Sequence, residues 1–275
     1  MKFKLLFFLF SIMLLFFLAS FILIPIYVFG TSFSLSFWRM NWPLFLVWVL
    51  IFATFIVFYF SNRQLFMLLE KEDWPALVGY LEERVIKKGR YSSRLVRLLA
   101  NSYMVLSDST SVIILENKLS AAKPALIEAN PLVFGTARIL GNDISGAIRF
   151  FESRKDKVKP ILKEWVQWYS GFSLLLGRQF EKAADIFSLL ARVSKDGIIT
   201  ALSSYFLSEN MAVVLPGNKE EYKKISLEGR KRVLGALPKI ESFRKEASRY
   251  STEIHVAAIS GYIEESCLWL YGDRR

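Results

Sequence analysis

The sequence predicts an all-α protein in which an N-terminal pair of membrane helices precedes a helical domain. Three observations lead to this fold class. All 25 acidic residues and all but three of the 36 basic residues follow Ser61, so the first 61 residues carry almost no charge. After residue 61, apolar residues recur mostly at helical spacing and period-2 strand signals are missing. Short breaks divide that region into segments of roughly 10 to 20 residues, which is typical of stacked helix pairs. They include Glu72-Asp73, Ser107-Asp108, Gly141-Asn142 and Gly177-Arg178.

The N-terminal region contains two uncharged apolar runs. Residues 5–29 form the first run and residues 42–60 the second, and a helix needs roughly 20 residues to cross a bilayer. Residues 30–41, in which only Arg39 is charged, are predicted to be a short connector. We therefore predict a two-span transmembrane hairpin over residues 1–61, with membrane lipid as its partner.

A cleavable signal peptide is the alternative for the first run, because Lys2 and Lys4 precede it. The run continues to Phe29, however, beyond the roughly 7 to 15 apolar residues of a signal-peptide core, which favours a membrane span. Arg63 and Lys71 follow the second run, and basic flanks favour the cytoplasmic side. The sequence thus predicts an integral protein of the inner (cytoplasmic) membrane, with both termini and the helical domain in the cytoplasm.

A repeat with an offset of 36 residues lies in the helical domain, where residues 134–151 overlay on residues 170–187. A small residue, a turn glycine, a second small residue and an aromatic plug recur in order, as packing of one helix on the next requires. The matched pairs are Gly135 with Gly171, Gly141 with Gly177, Ala147 with Ala183, and Phe151 with Phe187. Weaker copies upstream extend the pattern to about four helix pairs over residues 62–208.

The twelve-residue spacing from glycine to alanine, with an aromatic residue one turn later, resembles a degenerate tetratricopeptide repeat. The order of two spans and then repeats also resembles the layout of HemY-like inner-membrane proteins. The first resemblance implies a TPR-like α-solenoid whose first helices line a concave groove for an extended peptide or a partner helix. The positions similar to groove-lining ones are Leu132, Thr136, Ile139, Trp165, Trp168 and Phe172. Because an aromatic stripe at helical spacing is also typical of a core, groove and core stay as alternatives.

Residues 209–275 are predicted to be a basic helical cap, with one helix over 219–237 and one long helix from Pro238 to about Tyr271. Its basic residues could form a patch for anionic lipid or a partner, or simply a solvated helix face. No recognised binding motif accompanies the charge, which argues against nucleic acid as a partner. The patch candidates are Lys223, Lys224, Arg230, Lys231, Arg232, Arg244 and Lys245.

Residues capable of chemistry are few. His255 has no carboxylate at helical spacing, so we interpret it as a packing or surface residue, and Cys267 as an inert buried thiol. One histidine and one cysteine cannot form a zinc site. The sequence therefore predicts no catalytic residue, no metal, no cofactor and no evident small-molecule substrate.

These patterns favour a membrane-anchored scaffold that recruits or organises proteins through its solenoid, rather than an enzyme. The alternative is a structural component of an envelope or motility-associated assembly, with the repeats on the extracytoplasmic side. The sequence does not identify the protein partner.

Overall fold

The structure is a computed structural model that describes residues 2–251 and 253–272, with side chains described from Leu5 onward. All of its regular elements in these ranges are helical, which confirms the all-α prediction. The chain divides into two compact units, residues 1–80 and residues 81–275.

The first unit consists mainly of α1 (Lys2–Lys71), which contains two non-helical residues. Gly30 has φ 81° and ψ 171°, a conformation that is open almost only to glycine. Asn41 has φ −112° and ψ 22°. Within the described residues, α1 is the helix that is long and apolar enough to cross a membrane, although a signal sequence passes the same test.

Aromatic rings from opposite sides of Gly30 contact one another in the first unit. The ring centroids of Phe7 and Tyr59 lie 3.7 Å apart, and those of Phe21 and Trp38 lie 5.3 Å apart. At 1.5 Å per residue a straight helix would hold Phe7 and Tyr59 roughly 80 Å apart. Residues on the two sides of Gly30 therefore contact each other.

The connector predicted over residues 30–41 is helical, and the two non-helical residues of α1, Gly30 and Asn41, lie at its ends. Two serine hydroxyls of this segment donate hydrogen bonds to carbonyls one turn earlier. Ser34 Oγ lies 2.9 Å from the Gly30 carbonyl oxygen, and Ser36 Oγ lies 3.2 Å from that of Ser32. The helix therefore satisfies its own serines.

The chain enters the second unit through α2 (Trp74–Glu82), which ends in a wide turn over Glu83–Lys87. Within the described residues, fourteen α-helices, α2 to α15, follow α1, and most are short. The later helices are α3 (Ser93–Val105), α4 (Ser109–Ala122), α5 (Ala125–Glu128), α6 (Pro131–Leu140), α7 (Ile144–Glu152), α8 (Pro160–Leu176), α9 (Phe180–Val193), α10 (Gly197–Phe206), α11 (Ala212–Val214), α12 (Lys219–Ala236), α13 (Ile240–Ser248), α14 (Ile254–Ala258) and α15 (Ser260–Tyr271).

Four turns between successive helices share one backbone geometry. Each contains a non-glycine residue in the left-handed region, with φ between 54° and 60°. These residues are Glu72, Ser107, Asn142 and Arg178, at spacings of 35, 35 and 36 residues. In each turn the next amide donates to the carbonyl five residues earlier, at 2.8 to 3.2 Å, which closes the preceding helix. The breaks predicted at these four positions are confirmed.

Aspartate caps the helix that follows in three of the four turns. Its Oδ1 accepts a hydrogen bond from the backbone amide three residues later, at 2.9 to 3.2 Å. Such caps satisfy an amide that the first helical turn would leave unpaired. The three residues are Asp73, Asp108 and Asp143. The aspartates recur with the same period as the turns and are a further feature of the repeat.

Glycine and phenylalanine make the same contact in the α6–α7 and α8–α9 pairs. A β-carbon added at Gly135 would lie 2.1 Å from Phe151 Cζ, and one at Gly171 would lie 3.0 Å from Phe187 Cε1. Ala147 and Ala183 are likewise fully buried. Gly135 and Gly171 therefore pack against the matched phenylalanine in both helix pairs.

Gly141 and Gly177 differ from the prediction that they are the special residues of their turns. Both have φ −79°, and the left-handed residue is the next one. Their small size makes room for neighbours instead, because an added β-carbon would lie 3.0 Å from Ser109 Oγ at Gly141 and 2.7 Å from Ile148 Cδ1 at Gly177.

We expect Gly135→Ala to lower the free energy of unfolding by about 1 to 3 kcal/mol. The added methyl group would clash with the Phe151 ring, which is fully buried and can move only by displacing its neighbours. Gly79→Ala is the matched control, since nothing lies within 4 Å of its added β-carbon. That change should leave stability unchanged or raise it by up to about 1 kcal/mol. Urea unfolding followed by circular dichroism measures both. Equal effects of the two substitutions would contradict the contact.

The single long helix predicted from Pro238 to about Tyr271 was wrong, because three helices, α13, α14 and α15, cover this region. Serine hydroxyls near the breaks bond to nearby carbonyls and compete with helical pairing. Ser251 Oγ donates to the Ser248 carbonyl at 2.7 Å, and Ser260 Oγ to that of Ala257 at 2.9 Å. A long-range bond also holds α14, because Tyr169 Oη donates to the His255 carbonyl at 2.7 Å.

Candidate functional site

A cavity of about 620 Å³ lies in the second unit. Its walls come from α3, from the first turns of α6, α8 and α10, and from the segment that joins α13 to α14. A volume of this size is ordinary for a site that holds a small molecule. We therefore treat the cavity as the candidate site.

Helix starts form one side of the cavity. Pro131 and Pro160 each begin a helix, where their missing amide hydrogen has no cost. Asp196 caps α10, with Oδ1 accepting from the Ile198 amide at 2.8 Å and the Ile199 amide at 3.1 Å. The cap fixes the position of one carboxylate in the cavity wall.

Two carboxylates of the wall accept hydrogen bonds from neutral hydroxyls. Tyr250 Oη donates to Asp196 Oδ2 at 2.5 Å, and Ser194 Oγ donates to Glu164 Oε2 at 2.6 Å. Burial, and then this bond to Asp196, raises the pKa of Tyr250 above its ordinary value. Tyr250 is therefore a neutral donor at physiological pH.

His255 is buried in the same wall, with 4% of its surface exposed. Its ring centroid lies 5.2 Å from that of Trp165 and 5.6 Å from that of Tyr169, both in edge-on arrangements. Burial disfavours the charged imidazolium and lowers the pKa of His255 to about 4. Its Nδ1 is buried and has no hydrogen-bond partner among the described residues.

Comparison with known proteins finds a family model that matches most of the second unit. A family model with the description "Uncharacterised Treponema protein" matches residues 111–272, which is more than half of the chain. The chain belongs to this Treponema family. The matched range contains α6 to α15 and most of the cavity wall.

A relative from Treponema pallidum (strain Nichols), itself described as an uncharacterized protein, is 33% identical over 165 residues. The aligned part covers 60% of this chain and 52% of the relative, so the chain spans about half the length of that relative. No solved structure matches the chain.

The groove residues predicted for this Treponema family member separate into two groups. Leu132 and Trp165 line the cavity. Thr136 is 1% exposed, and Ile139 is half-buried on α6 outside the cavity wall.

Trp168 and Phe172 do not line an open groove, so that interpretation was wrong for them. Trp168 is fully buried and stacks on Phe172, with ring centroids 5.2 Å apart. The ring of Tyr262 from α15 covers Phe172 at 5.5 Å. The C-terminal segment of the chain itself occupies this face, which is why the stripe is core.

Three arginines of the predicted basic patch have structural partners. Arg230 donates to the Leu270 carbonyl at the end of α15, at 2.9 Å through Nη2. Arg232 donates to carbonyls at the end of α9, including that of Ala191 at 2.7 Å. Arg244 pairs with Glu264 at 2.6 Å. The patch residues that are exposed and form no ion pair within the described part of the chain are Lys223, Lys224, Lys231 and Lys245.

Sequence reasoning placed His255 among packing or surface residues and did not single out Glu164, Asp196 or Tyr250. Their proximity depends on contacts between segments that are more than 50 residues apart, as in the bond from Tyr250 to Asp196. Cys267 is buried, as predicted, and burial raises the pKa of its thiol. Within the described ranges, no group of three or more His, Cys, Asp or Glu residues could hold a metal ion.

Proposed function

We propose that this protein is a membrane-anchored scaffold for protein–protein interaction. In this proposal α1 is a transmembrane hairpin that reverses at Gly30, and the following helix pairs form a TPR-like solenoid at the cytoplasmic face of the inner membrane. The observation that carries the proposal is the recurrence of one turn geometry at spacings of 35, 35 and 36 residues immediately after a long apolar helix. Recurrent helix pairs are typical of proteins that bind partners on extended surfaces.

An exposed apolar side chain precedes the left-handed residue by two positions in three of the four turns. These side chains are Val105, Leu140 and Leu176, with exposed fractions of 42%, 55% and 39%. Equivalent positions of stacked repeats lie in a row along one edge, and a continuous row of exposed apolar groups is typical of a surface that binds a partner. We propose that this edge, rather than the face covered by α15, contacts a partner.

A photo-crosslinking amino acid placed singly at Val105, Leu140 and Leu176 tests the interaction. In native membranes we expect all three positions to crosslink to the same protein. Glu152, an exposed residue at the end of α7, is the control position and should not crosslink to it. Absence of any shared crosslinked protein would count against a scaffold role at this edge.

Membrane topology is tested by reporters fused after the last residue, one active only in the cytoplasm and one active only outside it. The basic residues Arg63 and Lys71 support a cytoplasmic position of the helical domain. We therefore expect activity of the cytoplasmic reporter. Activity of the other reporter would favour an extracytoplasmic envelope or motility-associated assembly, and loss of the first apolar run from the mature protein would identify that run as a signal sequence.

A further inference from the structure

A second cavity of the second unit, of about 260 Å³, is lined by three arginines. Arg138 comes from α6, Arg149 from α7, and Arg154 from the segment that follows α7. The other residues of its wall are Glu116, Gly146, Phe150 and Ser153. Three guanidinium groups and one carboxylate therefore share the wall of this arginine cavity.

The charge of Arg138 is already compensated within the fold. Its Nε and Nη2 donate to Glu116 Oε2 at 3.1 and 2.8 Å, and its Nη1 donates to Asp143 Oδ2 at 2.7 Å. The only carboxylate of the cavity wall, that of Glu116, is therefore bonded to Arg138. It forms no ion pair with either of the other two arginines in the described part of the chain.

Arg154 is held in place without an ion pair in the described part of the chain. Its guanidinium carbon lies 3.9 Å from the centroid of the Phe150 ring. Its Nη1 donates to the Phe150 carbonyl at 3.3 Å and to Ser153 Oγ at 3.2 Å, whereas its Nη2 has no such bond to the described residues. Glu116 and Glu128 act on it only through their electric field.

Partial burial leaves Arg154 short of solvation. Burial is the main influence on this group and lowers the pKa of its guanidinium, and Arg138 adds to that effect by charge repulsion. A half-buried cation that gains no bonded anion has lost water and gained no opposite charge in return. An anion in the cavity would supply that charge.

Arg149 lies on the same face of α7 as two other residues of the wall, because Gly146 precedes it by three residues and Ser153 follows it by four. The side chain is exposed, and it has no hydrogen bond or ion pair within the described residues. Arg149 and Arg154 therefore supply two guanidinium groups to which no carboxylate is bonded.

The segment that joins α7 to α8 surrounds this side of the molecule with further positive charge. Residues 149–163 contain six basic and two acidic side chains. One of these acidic groups, that of Asp156, lies 3.8 Å from Lys163, in an exposed ion pair. Such a concentration of one sign of charge attracts anions towards the cavity.

Phosphate suits this arrangement better than other anions. The planar guanidinium group donates two parallel hydrogen bonds to phosphate oxygens, and a phosphate monoester carries a charge of about −1.5 to −2 at pH 7. That charge matches the two guanidinium groups that lack a carboxylate. The cavity is smaller than the roughly 300 to 1,000 Å³ of sites for drug-sized ligands, so it suits a single charged group.

We propose that the arginine cavity binds the phosphate monoester group of a small molecule or of a lipid headgroup. The phosphate oxygens accept hydrogen bonds from Arg149 and from Nη2 of Arg154, while Arg138 stays bonded to Glu116 and completes the wall. The proposal does not rest on the scaffold function, and its test uses none of the crosslinking positions.

Calorimetric titration of the full chain in a non-ionic detergent at pH 7 tests the proposal. The probes are glycerol 3-phosphate, its neutral counterpart glycerol, and dioctanoyl phosphatidic acid as the lipid. We expect at least one of the two phosphate monoesters to bind about tenfold or more tightly than glycerol, and Arg149→Gln to weaken that binding by about tenfold. Arg94→Gln removes an exposed arginine of α3 that lies outside the cavity and should leave it unchanged.

The two phosphate probes distinguish the sources of the ligand. Binding of glycerol 3-phosphate that depends on Arg149 supports a soluble ligand, and binding of dioctanoyl phosphatidic acid alone, with the same dependence, supports a lipid headgroup. Absence of binding of both at millimolar concentration would overturn the proposal. An affinity that Arg149→Gln leaves unchanged, or that Arg94→Gln lowers equally, would overturn it too.

A second variant covers the case in which Arg149→Gln melts at a much lower temperature than the wild type. Arg154→Lys keeps a positive charge near Phe150 but removes the planar fork that donates two parallel hydrogen bonds. Weaker phosphate binding by this folded variant supports the site, and unchanged binding overturns it.

Discussion

Arg138→Met is expected to lower the free energy of unfolding by about 3 to 5 kcal/mol at pH 7, as breaking a buried ion pair does. Arg138 Nε and Nη2 donate to Glu116 Oε2 at 3.1 and 2.8 Å, and Nη1 donates to Asp143 Oδ2 at 2.7 Å. The side chain of Glu116 is only 6% exposed. Without Arg138, that carboxylate is buried with no cation bonded to it. Urea unfolding followed by circular dichroism measures the loss.

The loss should shrink as the pH falls. Burial raises the pKa of Glu116, and Arg138 opposes that rise. Removing Arg138 therefore raises the pKa further, and a carboxyl group whose folded pKa lies above its unfolded value costs less stability as it becomes protonated. A loss that is the same at pH 5 and pH 7 would contradict this account.

Two further variants distinguish the loss of the buried ion pair from the loss of a positive charge elsewhere on the protein. Arg138→Met combined with Glu116→Leu should recover most of the stability, because no unpaired charge remains. Lys163→Met is the control, since Lys163 and Asp156 are 3.8 Å apart and largely exposed. It should change the free energy of unfolding by less than about 0.5 kcal/mol.

The second large effect is the acid sensitivity that His255 confers. Its pKa is about 4 in the folded protein, below its ordinary value of 6.5. The folded protein is therefore not penalised by this residue above pH 6.5, where the imidazole is neutral in both states. Stability is lost as the pH falls from 6.5 towards 4, where the unfolded chain binds a proton and the folded protein does not. The difference between the two pKa values corresponds to about 3 kcal/mol of unfolding free energy, because the imidazole binds a proton below pH 6.5 in the unfolded chain and stays neutral in the folded one.

Comparison with His255→Asn isolates this contribution from that of other titrating groups. Unfolding free energies are measured for both proteins at several pH values between 4 and 7. The wild type should lose about 3 kcal/mol more than the variant over that range. Parallel curves for the two proteins would show that His255 is charged in the folded state or is accessible to water.

Local signals explain the part of the fold that could be predicted. The left-handed turns and the aspartate caps depend on neighbouring residues, so the breaks at Ser107 and Asn142 were visible in the sequence. The repeat contacts of Gly135 and Gly171 were visible because glycine and phenylalanine recur with one offset. The stretch over residues 5–60, in which only Arg39 is charged, likewise marks an apolar helical region without reference to tertiary contacts.

Long-range contacts explain what could not be predicted. The position of α14 depends partly on the bond from Tyr169 to the His255 carbonyl, across 86 residues of sequence. The candidate site combines Glu164, Asp196 and His255 for the same reason. A periodic stripe also cannot show whether Trp168 faces a groove or a core, because both require apolar residues at the same spacing.

The covering of Phe172 by Tyr262 has a genetic consequence. A stop codon that removed α15 would expose aromatic rings in the centre of the domain to solvent. Leu270 would be lost with it, and Arg230 would lose the carbonyl to which it donates. Truncation before Ser260 is therefore expected to be comparable in severity to substitutions in the core of the domain.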